Sequence, residues 1–175
     1  GNTDVANLPQ SAVDLDAGWI EYPRPKTEIN RRVPLWPETV TALQAAIAVR
    51  PSPKGGTDPD LCFRSPQGYA FVRVQVSKKD AARYNKIDLV GRHFGILLKK
   101  LQLNGRRRLG FYTLRHCFET IAGESRDQVA VNSIMGHVDH SMAGAYRERI
   151  SDQRLIAVTD TVHDWLFPAE ERGVE

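Results

Sequence analysis

A short C-terminal stretch holds an arginine, a histidine and a tyrosine in three clusters: Thr113-Leu114-Arg115-His116, Met135-Gly136-His137 and Ala145-Tyr146-Arg147. An arginine, an imidazole and a phenol on neighbouring short helices are what attack of a tyrosine on a phosphodiester requires. The guanidinium holds two phosphate oxygens, the imidazole donates to another or relays protons, and the phenol oxygen is the nucleophile. Each residue also has a plainer use. A tyrosine after a helix is usually a half-buried packing residue, and an arginine beside an apolar stripe is a charge that needs a partner. His137 and His140 make a His-x-x-His spacing that suits zinc, but no third ligand clusters with them, so no metal site is expected.

The elements that must position these residues can be read from hydrophobic period and turn chemistry. Asn2 to Leu8 has helical spacing and ends at Pro9. Gly18 to Tyr22 and Arg31 to Leu35 read as two strands joined by a polar turn around Lys26 to Asn30. Pro37 suits the first position of a helix with Val40, Leu43 and Ile47 on one face. After a Pro/Gly/Asp-rich loop, Leu61-Cys62-Phe63 and Gly68 to Val72 look like a short hairpin. Residues 86–103 form the clearest helical pattern, stopped by Asn104-Gly105. Thr113 can cap a helix whose Leu114, Cys117, Phe118 and Ile121 face inward, and Val129 to Met135 is a short helix ended by Gly136. Ser151 can cap a last helix that carries Leu155, Ile156, Val158, Val162 and Trp165. The expected fold is α+β: mainly α, with a small antiparallel β-sheet at one edge. Residues 1–150 are expected to form one domain, and 151–175 a C-terminal helix and tail that packs on its own domain or on a neighbouring protomer.

The chain has 175 residues, enough for a real core, and its 41% hydrophobic and 26% charged content excludes wholesale disorder. No apolar run reaches membrane-spanning length, and the start lacks the charged-then-apolar layout of a secretion signal. Cys62 and Cys117 have no metal-ligand spacing and fit a reducing cytoplasm. The net charge is only +3, but it is polarised: residues 1–110 hold 18 Lys/Arg against 10 Asp/Glu, and residues 111–175 hold 6 against 11. The basic runs include Lys78-Lys79, Lys99-Lys100 and Arg106-Arg107-Arg108. Such a face suits a polyanion, with affinity that falls as salt rises, although any one run alone is more often a solvated surface.

These residues resemble the tyrosine recombinase (phage integrase) family over most of residues 2–150. The family's His-x-x-Arg-His block is similar to Tyr112-Thr113-Leu114-Arg115-His116, and its Leu-Gly-His block to Met135-Gly136-His137, with Tyr146 following nine residues later. Its β-hairpin lysine pattern matches Lys26-Thr27-Glu28-Ile29-Asn30-Arg31-Arg32-Val33-Pro34-Leu35. The resemblance implies that Tyr146 attacks DNA to give a 3′-phosphotyrosine, that Arg115 holds the non-bridging oxygens, that Lys26 protonates the leaving 5′-oxygen, and that His137 donates to the phosphate. It also implies double-stranded DNA as partner, no metal or other cofactor, and a homo-oligomer (a synaptic tetramer) on DNA that is a monomer in isolation. Arg24, Arg31, Arg32, Lys78, Lys79, Lys99, Lys100, Arg106, Arg107 and Arg108 are the expected DNA contacts.

Three departures bear on that expectation. The family's first motif, roughly Arg-x-x-Glu/Asp-x-x-x-Leu, aligns with Asp4 and Leu8 and puts Gly1 in the arginine position. Either Gly1 is native and one phosphate clamp is missing, or the chain is truncated within that motif. Loss of such a donor costs on the order of 10²-fold in rate, so impaired catalysis is one expectation, and a DNA-binding or assembly module of the same fold is the alternative. Tyr112 stands where histidine is commoner; a phenol still donates a hydrogen bond but is no base near neutral pH. These 175 residues show no stretch similar to the family's N-terminal helical domain, so on their own they are expected to bind DNA weakly and non-specifically. A type IB topoisomerase, which shares the chemistry, is a further alternative.

Overall fold

The computed structural model describes residues 1–77, 82–103, 109–138, 141–145 and 149–168. In chain order the elements are α1 (Asn2–Ala6), a 3₁₀ turn (Gln10–Ala12), β1 (Val13–Asp14), β2 (Trp19–Glu21), β3 (Arg32–Pro34), α2 (Pro37–Ala48), β4 (Val72–Val76) and β5 (Tyr84–Asp88). Then follow α3 (Leu89–Lys100), α4 (Thr113–Ala122), a second 3₁₀ turn (Gly123–Ser125), α5 (Gln128–Met135), α6 (Met142–Ala145) and α7 (Asp152–Leu166). The chain forms two compact units: Gly1–Ser11 with Ala42–Arg115, and Ala12–Thr41 with His116–Glu175.

The second unit is built around a three-stranded antiparallel sheet of order β1-β2-β3, in which Ile20 pairs with Val33 and Glu21 with Arg32. Its core consists of Ala122, Ala130, Val131, Ile134, Met135, Leu155, Val158 and Val162, with Trp19, Val33, Trp36 and Ile150 packed against them. Two helices, α5 and α7, supply most of this core, and each is pinned at its start. The Asp127 carboxylate accepts from the Ala130 amide at 3.1 Å, capping α5, and its two oxygens also take Arg154 Nε and Nη2 from α7 at 2.6 and 2.7 Å. One carboxylate therefore caps one helix and orients the next. Ser151 O accepts the Arg154 and Leu155 amides, so α7 begins where the sequence puts its cap, although the Ser151 side chain makes no capping bond. Near the end of α7, Trp36 meets His163 and Phe167 edge-on at 5.2 and 6.4 Å, and His163 Nε2 lies 3.2 Å from a Glu38 carboxylate oxygen.

In the first unit, Asp88 caps α3 by accepting from the Gly91 amide at 2.8 Å, and its other oxygen accepts from Asn2 Nδ2 at 2.6 Å, tying α1 to α3. The irregular segment 50–69 is held by arginines that satisfy backbone carbonyls. Arg50 donates to Leu61 O and Gln10 Oε1, and Arg64 donates to Pro51 O and Pro59 O. Gly68 has φ +83, and a Cβ there would meet Ser52 O at 2.2 Å, so only glycine lets this turn close. An apolar cavity of about 310 Å³ opens beside α1 and α3, walled by Phe71, Phe94 and Phe111 among others.

The structure agrees with the expected α+β class and corrects several boundaries. The expected hairpin around 61–72 is absent. Instead β4 pairs with β5 from Val72↔Asp88 to Val76↔Tyr84, and Leu61 makes only an isolated bridge to Pro9. Among the described residues there are thus two small sheets, not one. The helix expected from residue 86 starts at Leu89, because the Asp88 cap decides the start and the apolar Ile87 belongs to the strand. Thr113 lies inside α4 and its hydroxyl accepts from the Gly110 amide at 3.1 Å, so it stabilises the entry turn without being the cap. Leu114 is 50% exposed and Cys117 is exposed, so the inward face of α4 is carried by Phe118, Ile121 and Ala122. Among the described residues no helix is long and apolar enough to cross a membrane.

Leu155→Ala should destabilise the protein by about 2–5 kcal/mol, because Leu155 is 2% exposed at the centre of the second unit's core. Urea unfolding measures this, and a change under about 1 kcal/mol would show that α7 is not a core element. Cys62 is fully buried with its thiol pushed up chiefly by that burial, whereas Cys117 is exposed. A thiol reagent at neutral pH should therefore modify Cys117 alone until the protein unfolds; two rapidly reacting thiols would contradict the packing around Cys62.

Candidate active site

Lys26 is carried on an extension of the β2–β3 hairpin that the backbone fixes tightly. Beyond the last strand pair, the Tyr22 amide donates to Arg31 O at 3.1 Å and the Arg24 amide to Ile29 O at 2.9 Å. The chain then turns through Pro25-Lys26-Thr27, with the Thr27 and Glu28 amides both donating to Arg24 O at 3.1 and 2.8 Å. Glu28 closes the turn in the left-handed region at φ 56. Lys26 is exposed at the tip.

His137 is placed by the end of α5. Gly136 has φ +65, and the His137 amide reaches back to Asn132 O at 2.9 Å, the bond that ends a helix with a left-handed residue. The His137 ring Nδ1 lies 3.4 Å from Asn132 Oδ1 and 3.9 Å from Glu119 Oε1. Both neighbours present oxygens, so a proton on Nδ1 is the favoured tautomer of the neutral ring. Asn132 is itself held by Gln128 Nε2 at 2.9 Å.

The two parts meet at one atom within the second unit. Arg24 Nη1 and Thr27 Oγ1 donate to Gly136 O at 3.0 and 3.3 Å. The turn that bears Lys26 is therefore hydrogen-bonded to the residue before His137. Contact is close: a Cβ on Gly136 would lie 2.9 Å from Cδ of both Arg24 and Arg31. Here the hairpin arginines have internal work. Arg31 Nε donates to Tyr22 O at 3.1 Å and its guanidinium lies 5.8 Å from the centre of the Tyr22 ring. Arg32 grips Asp152 with two bonds of 2.9 Å, also binds Glu21, and stacks 4.0 Å over Trp19. These anions hold Arg32 far into its charged range, and Arg32 in turn holds the Asp152 carboxyl below the usual carboxylate range. A cavity of about 550 Å³ beside this hairpin is lined by Arg31, Arg32 and Arg149 together with Glu21 and Ser133.

Other expected site residues stand as follows. Arg115 is half-buried in the first turn of α4, and Tyr112, just before that helix, is 50% exposed. Asp4 lies in α1, 3.4 Å from the Gly1 amino group. Lys99 and Lys100 are exposed in the last turn of α3, where cations complement the helix dipole. Tyr146, Lys78, Lys79, Arg106, Arg107, Arg108 and His140 lie outside the described residues. The sequence reading missed Glu119, Asn132 and Asp152. Glu119 follows Arg115 by four residues on α4 and Asn132 precedes His137 by five, spacings that helical geometry makes meaningful. No local signal announces Asp152 as the partner of Arg32. Among the described residues no group of three His, Cys, Asp or Glu side chains is arranged to hold a metal ion.

No protein-family model matches the chain, and no curated protein matches it. Solved structures do. XerA recombinase is 24% identical, with a TM-score of 0.56 over 93% of this chain and 52% of that one. The Tn1549 transposon integrase in complex with a circular intermediate DNA is 19% identical, with a TM-score of 0.58 over 91% of this chain and 54% of that one. The same integrase in complex with transposon right end DNA is 18% identical, at 0.54 over 93% and 54%. The chain thus spans about half the length of these solved chains. It has the fold they share, as the resemblance to tyrosine recombinases implies.

Gly136→Ala should disturb the hairpin's seat, since left-handed φ costs a non-glycine residue about 1–2 kcal/mol and the added Cβ would press on Arg24 and Arg31. Stability by denaturation should fall by about that amount, and trypsin should cut the native protein faster after Lys26. An alanine variant with unchanged stability and unchanged cleavage would show that the hairpin is not seated on Gly136.

Proposed function

We propose that this chain carries the strand-cleaving part of a DNA recombinase or integrase that acts through Tyr146. In the first step the phenol gives its proton to water and its oxygen bonds to phosphorus. The P–O5′ bond breaks, and the 5′-oxygen takes a proton from Lys26. Arg115 holds the non-bridging oxygens while charge builds on the five-coordinate phosphorus, and His137 donates to one of them. The 3′-phosphotyrosine keeps the energy of the broken bond, so a 5′-hydroxyl from another strand reverses the step and joins new partners without a nucleotide cofactor. Recombination between two duplexes calls for several copies of the chain on DNA.

The observation that carries this reading is the seating of the Lys26 turn on Gly136 O, next to His137, in a chain whose fold is shared with XerA recombinase and the Tn1549 integrase. The exposed Lys26 suits a proton donor that must reach a substrate oxygen, and the Nδ1 contact of His137 with Asn132 fixes the ring so that Nε2 faces away from that bond. A second reading is a DNA-binding module of the same fold, for which the exposed Lys86, Lys99 and Lys100 suit a polyanion.

A duplex nicked close to the scissile phosphate separates the two. The short strand diffuses away after attack, so a covalent protein–DNA complex accumulates. The protein as encoded by its gene should form this complex in the presence of a chelator, and Tyr146→Phe should abolish it. Trapping that survives Tyr146→Phe rejects the nucleophile. Salt-sensitive binding of duplex with no covalent product selects the binding module.

A further inference from the structure

The outer part of the β4–β5 ribbon, in the first unit, has neither face covered. Its register runs Val72↔Asp88, Arg73↔Ile87, Val74↔Lys86, Gln75↔Asn85 and Val76↔Tyr84. The Ser77 amide then donates to Arg83 O at 2.7 Å, which carries the ladder one step further. From Val74 to Val76 and from Arg83 to Lys86 every residue is exposed, so side chains of both faces meet solvent.

Alternation along the strands sorts those side chains into two kinds. One face carries Val72, Val74 and Val76 opposite Asp88, Lys86 and Tyr84. Its pairs hold the ribbon together. Val76 faces an aromatic ring, and Val74 faces the aliphatic stem of Lys86. Val74, Val76 and Tyr84 are 65%, 50% and 71% exposed, but three such side chains fall far short of the roughly 20–30 residues a side that a stable protein interface needs.

The other face carries Arg73, Gln75 and Ser77 opposite Ile87, Asn85 and Arg83. It presents guanidinium, carboxamide and hydroxyl groups and no carboxylate. The one acid of the two strands, Asp88, lies on the valine face and is occupied in capping α3 and binding Asn2. Arg73 is braced at the base, where Nη1 donates to Ala70 O and the guanidinium lies 4.9 Å from the centre of the Tyr69 ring. Gln75 and Asn85 are directly opposed and exposed. A carboxamide matches the major-groove edge of adenine, since its NH₂ donates to N7 and its oxygen accepts from N6–H. A two-stranded ribbon is also an element that the major groove, about 12 Å wide, admits. Opposed side chains about 5 Å apart can meet neighbouring base pairs, which step by about 3.4 Å.

Resting on the reading that the chain acts on duplex DNA, we propose that this polar face of the β4–β5 ribbon enters the major groove, where Gln75 and Asn85, flanked by Arg73 and Arg83, read the bases. The ribbon gives the chain a source of sequence preference that is separate from its chemistry.

Selection from duplexes with a randomised segment tests this, with the protein as encoded by its gene. The parent should enrich a defined sequence. Gln75→Ala and Asn85→Ala should each lose preference on the order of 10-fold at one or two adjacent base pairs of it, as expected for one bidentate contact. Affinity for unrelated duplex should stay within about 2-fold, since neither residue neutralises a phosphate. At those same base pairs a 7-deazapurine, which lacks the N7 acceptor, should weaken the parent and add nothing to the loss in the matching variant. Gln75→Glu should lower affinity for every duplex on the order of 10-fold or more, by placing a carboxylate against the groove. Val74→Thr, on the opposite face, should change neither preference nor affinity. Thermal midpoints should stay within about 2 °C of the parent, as exposed substitutions allow. The proposal is overturned by unchanged preference in both alanine variants, by deazapurine losses that add in full to theirs, or by a parent that binds duplex and enriches no sequence. It is also overturned if sedimentation shows these substitutions separating two chains, which makes the face a contact with a second copy. A parent that binds no duplex sinks the recombinase reading and the ribbon's role together. Enrichment without covalent complex on the nicked duplex refutes the Tyr146 chemistry and supports the ribbon.

Discussion

The carbonyl oxygen of Gly136 is the point on which the geometry of the second unit depends. A helix leaves its last carbonyls without partners, and each must find a donor or water. Here α5 stops in a left-handed residue, and the freed carbonyl is taken by Arg24 and Thr27 from a hairpin more than a hundred positions earlier in the chain. The absence of a side chain at Gly136 is what allows that approach. The same helix end swings the backbone so that His137 leaves α5 at an angle and its ring meets Asn132 and Glu119. A single turn of chain therefore terminates a helix, seats the lysine hairpin and aims the imidazole.

A second consequence concerns how two short helices can hold a site steady. Isolated helices of eight or four residues, such as α5 and α6, are unstable in water and borrow their stability from packing. For α5 the loan comes from Ala130, Val131, Ile134 and Met135, buried against α7, and from Asp127, which caps one helix and orients Arg154 on the other. Residues at the end of α5 are thus as well fixed as the core itself.

Much of this was legible from residue types. Proline at position 37, the Gly136 stop and the strand pair around Lys26 all appear where turn chemistry and period put them, because local rules and tertiary packing agree there. On α7, by contrast, Leu155, Val158 and Val162 are buried, but Ile156 and Trp165 of the same expected stripe are 38% and 54% exposed. The failures have definite causes. Tyr84 to Asp88 has no clean alternation, since this two-stranded ribbon leaves Tyr84, Asn85 and Lys86 exposed, so the strand was invisible beside the strong helical period that follows. Leu114 and Cys117 lie on the apolar stripe of α4 but are exposed, because period tells which residues share a face and not what that face meets. The candidate site was readable as a list of residue types. Its supporting residues, Glu119, Asn132 and Asp152, were not, because a partner distant in sequence leaves no local mark.

The arginines show most clearly why charge read from sequence misleads. The first 110 residues carry an excess of cations that invites a polyanion, yet many of those cations satisfy the protein's own backbone and carboxylates. Arg24 caps a helix end, Arg31 binds Tyr22 O, Arg32 holds Asp152, Arg50 and Arg64 brace the 50–69 segment, and Arg73 donates to Ala70 O. Planar guanidinium groups with five donors suit this internal work, whereas lysines, with strongly hydrated point charges, stay outside. Lys26, Lys86, Lys99 and Lys100 are all exposed. Counterion release on binding DNA scales with the phosphates that cations actually neutralise. On the proposed function, salt dependence within the described residues should therefore follow the lysines more than the arginines, and an arginine's removal should show first in the geometry of the hairpin and its neighbours.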